Sequence, residues 1–320
     1  MAQRVLAVLG AVAIVLAAIA VRAAIDGGDD GDDRARDGDR GADGALVVIC
    51  AEDLADACAA LDRVTVVEEE AATTAAQLAA GSLPDGADAW LTTTAWTEVT
   101  DVRSPGAIDR QVALASSPVV VAVDPGRSDA VRTLCGDVAL WRCLGDATGS
   151  DWGQIGGDAR WGSVRVGLPS ASSATGLGVL ASVASGYFGT TDFARNDFDA
   201  STFPSWLDAL TDPSAAGERD PVATLVTARG RYTAVGAIAA ATTGRAVDVL
   251  DPAPAVEVTA TLAVLPGGDD VDDDGDLVAA LREALVADGW SAATGGAPAP
   301  TLAVPGVLAA LHSLWAEVAR

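Results

Sequence analysis

Hydrophobic and polar positions alternate in blocks along this chain. Short strand-like runs, the β-branched Leu46–Ile49, then Val64–Val67 and Ala87–Leu91, are separated by segments with helical spacing of apolar residues, such as Leu54, Ala57, Cys58 and Leu61 within Glu52–Leu61. A second helix is expected over Thr74–Ala80, ended by Gly81. The rhythm continues with strands at Val112–Ala115 and Val119–Val123, a helix at Ser128–Leu134, a strand at Val164–Leu168 and a helix over about Thr175–Tyr187. A late strand, Val258–Leu265, precedes two closing helices, Leu277–Ala287 and Val307–Val318. Apolar, non-alternating strands between helices predict an α/β protein with parallel sheets covered on both faces.

Length adds a second lobe. About 275 residues exceed one comfortable core, so two lobes are expected. If the late strand rejoins the first sheet, the first lobe is discontinuous, and a cleft lies between lobes joined by two crossing segments. The expected organisation is a signal anchor or signal peptide in 1–25, an acidic linker in 26–44, lobe 1 in 45–117 and 259–320, and lobe 2 in 118–258.

The N-terminus sets the address. Arg4 precedes a 17-residue apolar run, Val5–Val21, and Arg22 follows it. That run is at the short limit for a bilayer span, while Ala18-Ile19-Ala20 offers a signal-peptidase site, so an anchor and a cleaved signal both remain open. Either way the remainder is exported, placed on the extracellular face of the membrane or secreted. From Asp26 to Gly44 eight Asp and three Arg stand with no large apolar residue, the composition of a flexible stalk. Four cysteines agree with export. Cys50 and Cys58 are eight apart, as are Cys135 and Cys143, and local pairing would close two short loops. The absence of a C-x-x-C pair disfavours a four-cysteine metal site.

Charge removes function classes. The chain carries 45 acidic residues against 20 cationic ones, all of them Arg, for a net charge of −25. Without Lys, P-loop nucleotide chemistry and Schiff-base catalysis lack an essential residue. The only His, His312, argues against Ser-His-Asp or Cys-His catalysis and multi-histidine metal sites. The negative charge repels a phosphate backbone, so nucleic acid is not an expected partner. No carboxylate pair stands at a spacing that singles out a hydrolase, and no cofactor is expected.

Four segments carry a resemblance. They are Leu46-Val-Val-Ile-Cys-Ala-Glu-Asp-Leu54, Ala115-Ser-Ser-Pro-Val-Val-Val-Ala-Val123, Val164-Arg-Val-Gly-Leu-Pro-Ser-Ala-Ser-Ser-Ala-Thr-Gly176, and Leu250-Asp-Pro with Leu262-Ala-Val-Leu-Pro266. In that order they resemble type II extracellular solute-binding proteins, and most nearly the actinobacterial solute-binding domains that sometimes accompany von Willebrand factor A domains. The resemblance implies a two-lobed Venus-flytrap fold that captures a small-molecule ligand, with an ABC-transporter permease as partner; the membrane contact is expected from the N-terminal apolar run instead. Two positions depart from the family pattern: Ala51 stands where a serine is common, and Ala234 where a glutamate is common. A receptor-like or structural envelope domain with a degenerate cleft is the competing reading.

In open α/β sheets ligands sit beyond the carboxyl ends of strands. The candidate contacts there are Glu52; Thr92, Thr93, Thr94 and Trp96; Ser116 and Ser117; and Tyr232 and Thr233. The strongest candidate is Ser170, Ser172, Ser173 and Thr175, a hydroxyl-rich turn entering a helix, suited to cradle an anion. Asp270-Val-Asp272-Asp-Asp274-Gly275-Asp276 matches the first half of a calcium loop, but Leu281 replaces the bidentate Glu. The plainer expectation is an acidic loop entering a helix capped by Asp276.

Overall fold

The computed structural model describes residues 45–62, 64–84, 86–136, 138–211, 219–228, 230–273, 275–293, 296, 301–304 and 306–318. The apolar run Val5–Val21, the acidic stretch 26–44 and Asp274 of the calcium-like loop lie outside them. Ala45–Arg320 forms one compact unit. Among the described residues no helix is long and apolar enough to cross a membrane.

The first sheet has the order β2-β1-β3-β8-β4, from Val64–Glu69, Leu46–Ala51, Ala87–Thr93, Glu257–Val264 and Arg110–Val123. β1 pairs in parallel with β2 and β3, the pairing that helical crossover connections allow. Between Val47 and Val48 the β1–β3 register shifts, and the buried Asp88 carboxylate accepts the freed Val47 N–H at 2.9 Å. The late strand does rejoin this sheet, between β3 and β4, which makes the first sheet discontinuous in sequence. It runs antiparallel to both, so the sheet is mixed where non-alternating strands predict a wholly parallel one. Burial on both faces, not strand direction, is what that apolar pattern reports.

β4 passes from the first sheet into the second. The sequence predicts two strands here, but 14 residues form one, with Pro118 opposite Glu257 where β8 begins. Its far half, Val119–Val123, pairs with β6, Ala234–Ile238, and with β7, Asp248–Leu250; β5, Val166–Gly167, extends β6 in parallel. A two-residue strand, β9, Ser291–Ala292, borders β4 at Ala115 and Ser116.

Helices cover both sheets. α1 is Ala55–Ala59, preceded by a 3₁₀ turn at Glu52–Leu54, and the Cys50–Cys58 disulfide ties it to β1. α2, Ala71–Ala80, ends on Gly81 at φ 63°, the left-handed residue that lets its N–H reach the last carbonyls. α3, Thr94–Arg103, follows β3 directly, and α4, Ser128–Cys135, is bridged to α5, Leu140–Ala147, by Cys135–Cys143. α6, Ala174–Phe188, is buried along most of its length and packs against both sheets. The chain's four phenylalanines, Phe188, Phe193, Phe198 and Phe203, join Tyr187 and Trp206 in one aromatic cluster. That cluster fastens α6 to α7, Arg195–Asp199, and α8, Phe203–Leu210. α9, Pro221–Thr227, covers β6; α10, Asp276–Ala287, and α11, Val307–Val318, close the chain. Gly275, not Asp276, occupies the N-cap of α10, and no side chain caps it. Asp273 of the same loop pairs with Arg110 at 2.8 Å, and no three metal-ligating side chains converge among the described residues.

α3 and α11 meet through Trp96 and His312, whose rings lie 4.9 Å apart edge to face. Burial, aided by Arg103, holds His312 down at about 4. Nearby, the Glu98 carboxylate accepts the Thr301 N–H at 2.6 Å, and burial, with a lesser push from Asp101, raises it to about 7. The signs oppose. The raised Glu98 costs folded-state stability progressively as pH rises from about 4.5 to 7; the depressed His312 costs stability as pH falls from about 6.5 to 4. Glu98→Gln, which retains the acceptor, is expected to be about 1 kcal/mol more stable than the parent at pH 8, after allowing for solvent screening. Denaturant melts should show that gain shrinking to a few tenths near pH 5, and an equal gain at both pH values would contradict the titration of Glu98.

Candidate functional site

β1 delivers the chain to Glu52 and Asp53 at its carboxyl end, opposite the amino end of α6. The hydroxyl-rich turn before α6 is engaged within the protein. Ser173 is the N-cap and accepts the Gly176 N–H at 3.1 Å, while its own hydroxyl donates to the Ser170 carbonyl at 2.9 Å. Ser170 Oγ accepts the Ser172 N–H at 3.2 Å. The dipole end that would attract an anion already holds one: Asp53 Oδ1 accepts the Ala174 N–H at 2.9 Å. Its Oδ2 accepts the Thr175 N–H at 2.8 Å and the Thr175 hydroxyl at 2.7 Å.

Most of the other sequence-predicted contacts are turned inward. Trp96, fully buried, donates its Nε1–H to the Ser173 carbonyl at 2.8 Å, and Thr93 donates to the Ala174 carbonyl at 2.7 Å. Thr94 and Thr261 share a hydrogen bond at 2.9 Å, and the Thr92 hydroxyl is buried with no partner among the described residues. Ser116 donates to Glu257 at 2.6 Å; Ser117, buried, accepts the Ala240 N–H at 3.0 Å. Thr233 accepts the Arg165 N–H at 3.2 Å, and Tyr232 is buried beside it. The structure therefore brings Trp96, Thr93, Ser173 and Thr175 together around the start of α6, while Ser116, Ser117, Tyr232 and Thr233 lie apart from it.

A cleft of about 550 Å³ opens beside this junction. Of the predicted contacts it is lined by Glu52 and Thr175. One wall is Glu52–Ala57 with Leu285, Asp288 and Trp290 from the end of α10; the other is Arg219–Val222 with Gly236–Ile238 and Arg245. Arg219 reaches Glu52 at 3.0 Å across it. Arg245 grips Asp220 with two bonds, 3.1 and 2.7 Å, and Asp220 also caps α9 by accepting the Ala223 N–H at 2.8 Å. Five carboxylates, Glu52, Asp53, Asp56, Asp220 and Asp288, line the cleft against the guanidiniums of Arg219 and Arg245. Glu70 beside it is raised from the ordinary carboxylate value by burial and by Glu52, with Arg219 opposing. The cleft thus presents net negative potential over an apolar floor of Pro169, Val179, Ile238 and Leu285.

Asp53, Arg219, Asp220, Arg245 and Trp290 are absent from the sequence-based candidates. Asp220-Pro221 carries a local signal, an N-cap with Pro at the first helical position. The others gain their places only from contacts distant in sequence.

No protein-family model matches the chain, and no curated protein matches it. Solved structures do. Iron-bound HitA from Pseudomonas aeruginosa superposes with a TM-score of 0.55 at 15% identity, over 85% of this chain and 98% of that one. A periplasmic thiamin binding protein gives a TM-score of 0.52 at 12% identity, over 86% and 96%. The periplasmic binding protein AfuA from Actinobacillus pleuropneumoniae, with fructose-6-phosphate bound, gives 0.51 at 12% identity, over 86% and 96%. At these identities the likeness is one of fold. The chain has the two-lobed periplasmic-binding-protein architecture with a discontinuous first lobe.

Proposed function

We propose that this protein is an exported, non-enzymatic solute-binding protein that captures a small polar solute, neutral or cationic, between its lobes and passes it to an ABC transporter. The observation that carries the reading is the acidic cleft bounded by Glu52, Asp56, Asp220 and Asp288 on the two sides of a two-lobed fold. Lobe 1 would comprise 45–117 and 259–320, and lobe 2 118–258. Both disulfides support export. The Val5–Val21 run supports a membrane tether, or secretion if it is cleaved, and the four sequence segments support an actinobacterial affinity. The ion pair Glu52–Arg219 joins the two walls, but Arg219 is 84% exposed, so it is a weak latch that ligand binding can outweigh.

Thermal unfolding of the full chain without reductant, against polyamines, amino acids, sugars, oxyanions and calcium, tests this. A solute at a hundred times its dissociation constant adds about 2.7 kcal/mol. An amine or sugar is expected to raise the melting temperature, and Asp56→Asn/Asp288→Asn, which alters two exposed side chains, should weaken an amine at least fivefold. One observation favours a second reading, a receptor-like or structural envelope domain: Asp53 fills the anion position at α6. A cooperatively melting protein that responds to none of the panel would support that reading and overturn the first.

A further inference from the structure

A second cavity, of about 500 Å³, lies away from the cleft. It is lined by Asp124, Gly126, Arg127, Arg160, Trp161, Gly162 and Gly230. These residues gather where β4 ends at Val123 and β6 begins at Ala234, whereas the cleft touches the other end of β6 at Ile238. The cleft's lining reaches back along β6 to Gly236, two residues or about 7 Å from Ala234, and the two cavities share no lining residue.

Arg127 sets the chemistry. It is only 8% exposed, yet among the described residues its guanidinium has no carboxylate partner: Nη1–H donates to the Tyr232 carbonyl at a long 3.4 Å, and the group sits 5.7 Å from the centre of the Trp161 ring. Its backbone N–H donates to the Asp124 carbonyl at 2.8 Å, and the Asp124 carboxylate is turned to the Gly126 N–H at 2.8 Å. An arginine buried without a counter-charge is costly, and its planar fork matches an oxyanion. Arg160, on the same rim, is 88% exposed and held by Asp158. Gly230, at φ +93°, leaves the space beside Arg127 open, since a Cβ there would stand 3.9 Å from Nη2. Asp158 offsets Arg160 and Asp124 lines the same pocket, so the positive group left without an ion pair here, among the described residues, is the Arg127 guanidinium.

We infer that this pocket is a binding site for a compact oxyanion, carboxylate or phosphate, held by the Arg127 fork with Arg160 closing the rim. The inference is independent of what the cleft binds. Calorimetric titration of the full chain at low salt with inorganic phosphate, sulfate and acetate tests it, and the rank order separates phosphate-type from carboxylate-type recognition. One bound equivalent is expected for at least one of them, weakened tenfold or more in Arg127→Met and severalfold in Arg160→Ala, and weakened again by added salt. Should Arg127→Met fail to fold, Arg160→Ala, which changes an exposed side chain, decides the outcome. Absence of binding to all three anions would overturn the inference. So would binding that survives the Arg160 and Arg127 variants unchanged, or binding removed by Arg219→Ala or Arg245→Ala in the cleft instead.

Discussion

Asp53→Ala is expected to lower the stability of the protein by about 2 kcal/mol and to create an oxyanion site that the parent lacks. The side chain accepts two backbone N–H groups and one hydroxyl at the start of α6, each at 2.7–2.9 Å. Charge-assisted bonds at a helix N-terminus are worth more than neutral ones, and removing the acceptor leaves Ala174 and Thr175 as orphan donors at the positive end of the dipole. Because Asp53 itself is exposed, water partly replaces the lost bonds, which keeps the loss near 2 kcal/mol. The same orphan donors, with the Thr175 hydroxyl, then present the cradle that the hydroxyl-rich turn advertises. Phosphate titration should therefore show one more bound equivalent than the parent. Asp53→Asn, keeping one acceptor, should recover about half the stability. A fully stable Asp53→Ala variant with no added anion site would refute the view that this carboxylate plugs the helix.

Gly176→Ala should be more damaging, by about 3 kcal/mol or more. A Cβ at Gly176 would stand 1.9 Å from the Ser170 carbonyl oxygen and 2.7 Å from Ser173 Oγ. The obstacle is backbone, so relief requires the turn to move off the helix, and the same turn carries the Ser173 cap and the contacts of Asp53, Thr93 and Trp96. Thermal melting should fall by roughly 6–12 °C for a domain of this size. Gly178→Ala, two residues along, supplies the control. Its Cβ would meet a Val258 methyl at 2.4 Å, a side-chain atom that can give way more readily than backbone, so a smaller loss is expected. Equal losses at the two positions would mean that the close approach of the Ser170 turn to α6 is not the cause.

The contrast between these glycines and the hydroxyls around them shows how far local pattern reaches. Ser173 is legible from sequence as an N-cap, because the bond it makes spans three residues. Thr93 and Trp96 are legible as residues at a strand end, but not as donors to carbonyls 81 and 77 residues away. Their burial reflects how tightly the α3 side of the first sheet meets the α6 turn, a property of two surfaces rather than of either segment. The aromatic cluster is similar: four phenylalanines spaced five apart fit no helical or strand period, and their common purpose emerges only when α6, α7 and α8 fold back on one another.

Hydrophobic periodicity and local chemistry in the sequence determined the α/β class, the closing helix Val307–Val318, the two short-range disulfides and the prospect of a late strand in a discontinuous first sheet. These follow from interactions between near neighbours or from the apolar character of whole strands. The tertiary structure alone decided that β8 runs antiparallel, that the cleft is acidic and crossed by Glu52–Arg219, and that the α6 cradle is filled. The reason is that a helix N-terminus attracts negative charge without regard to its source, and the carboxylate that satisfies it here comes from 121 residues away.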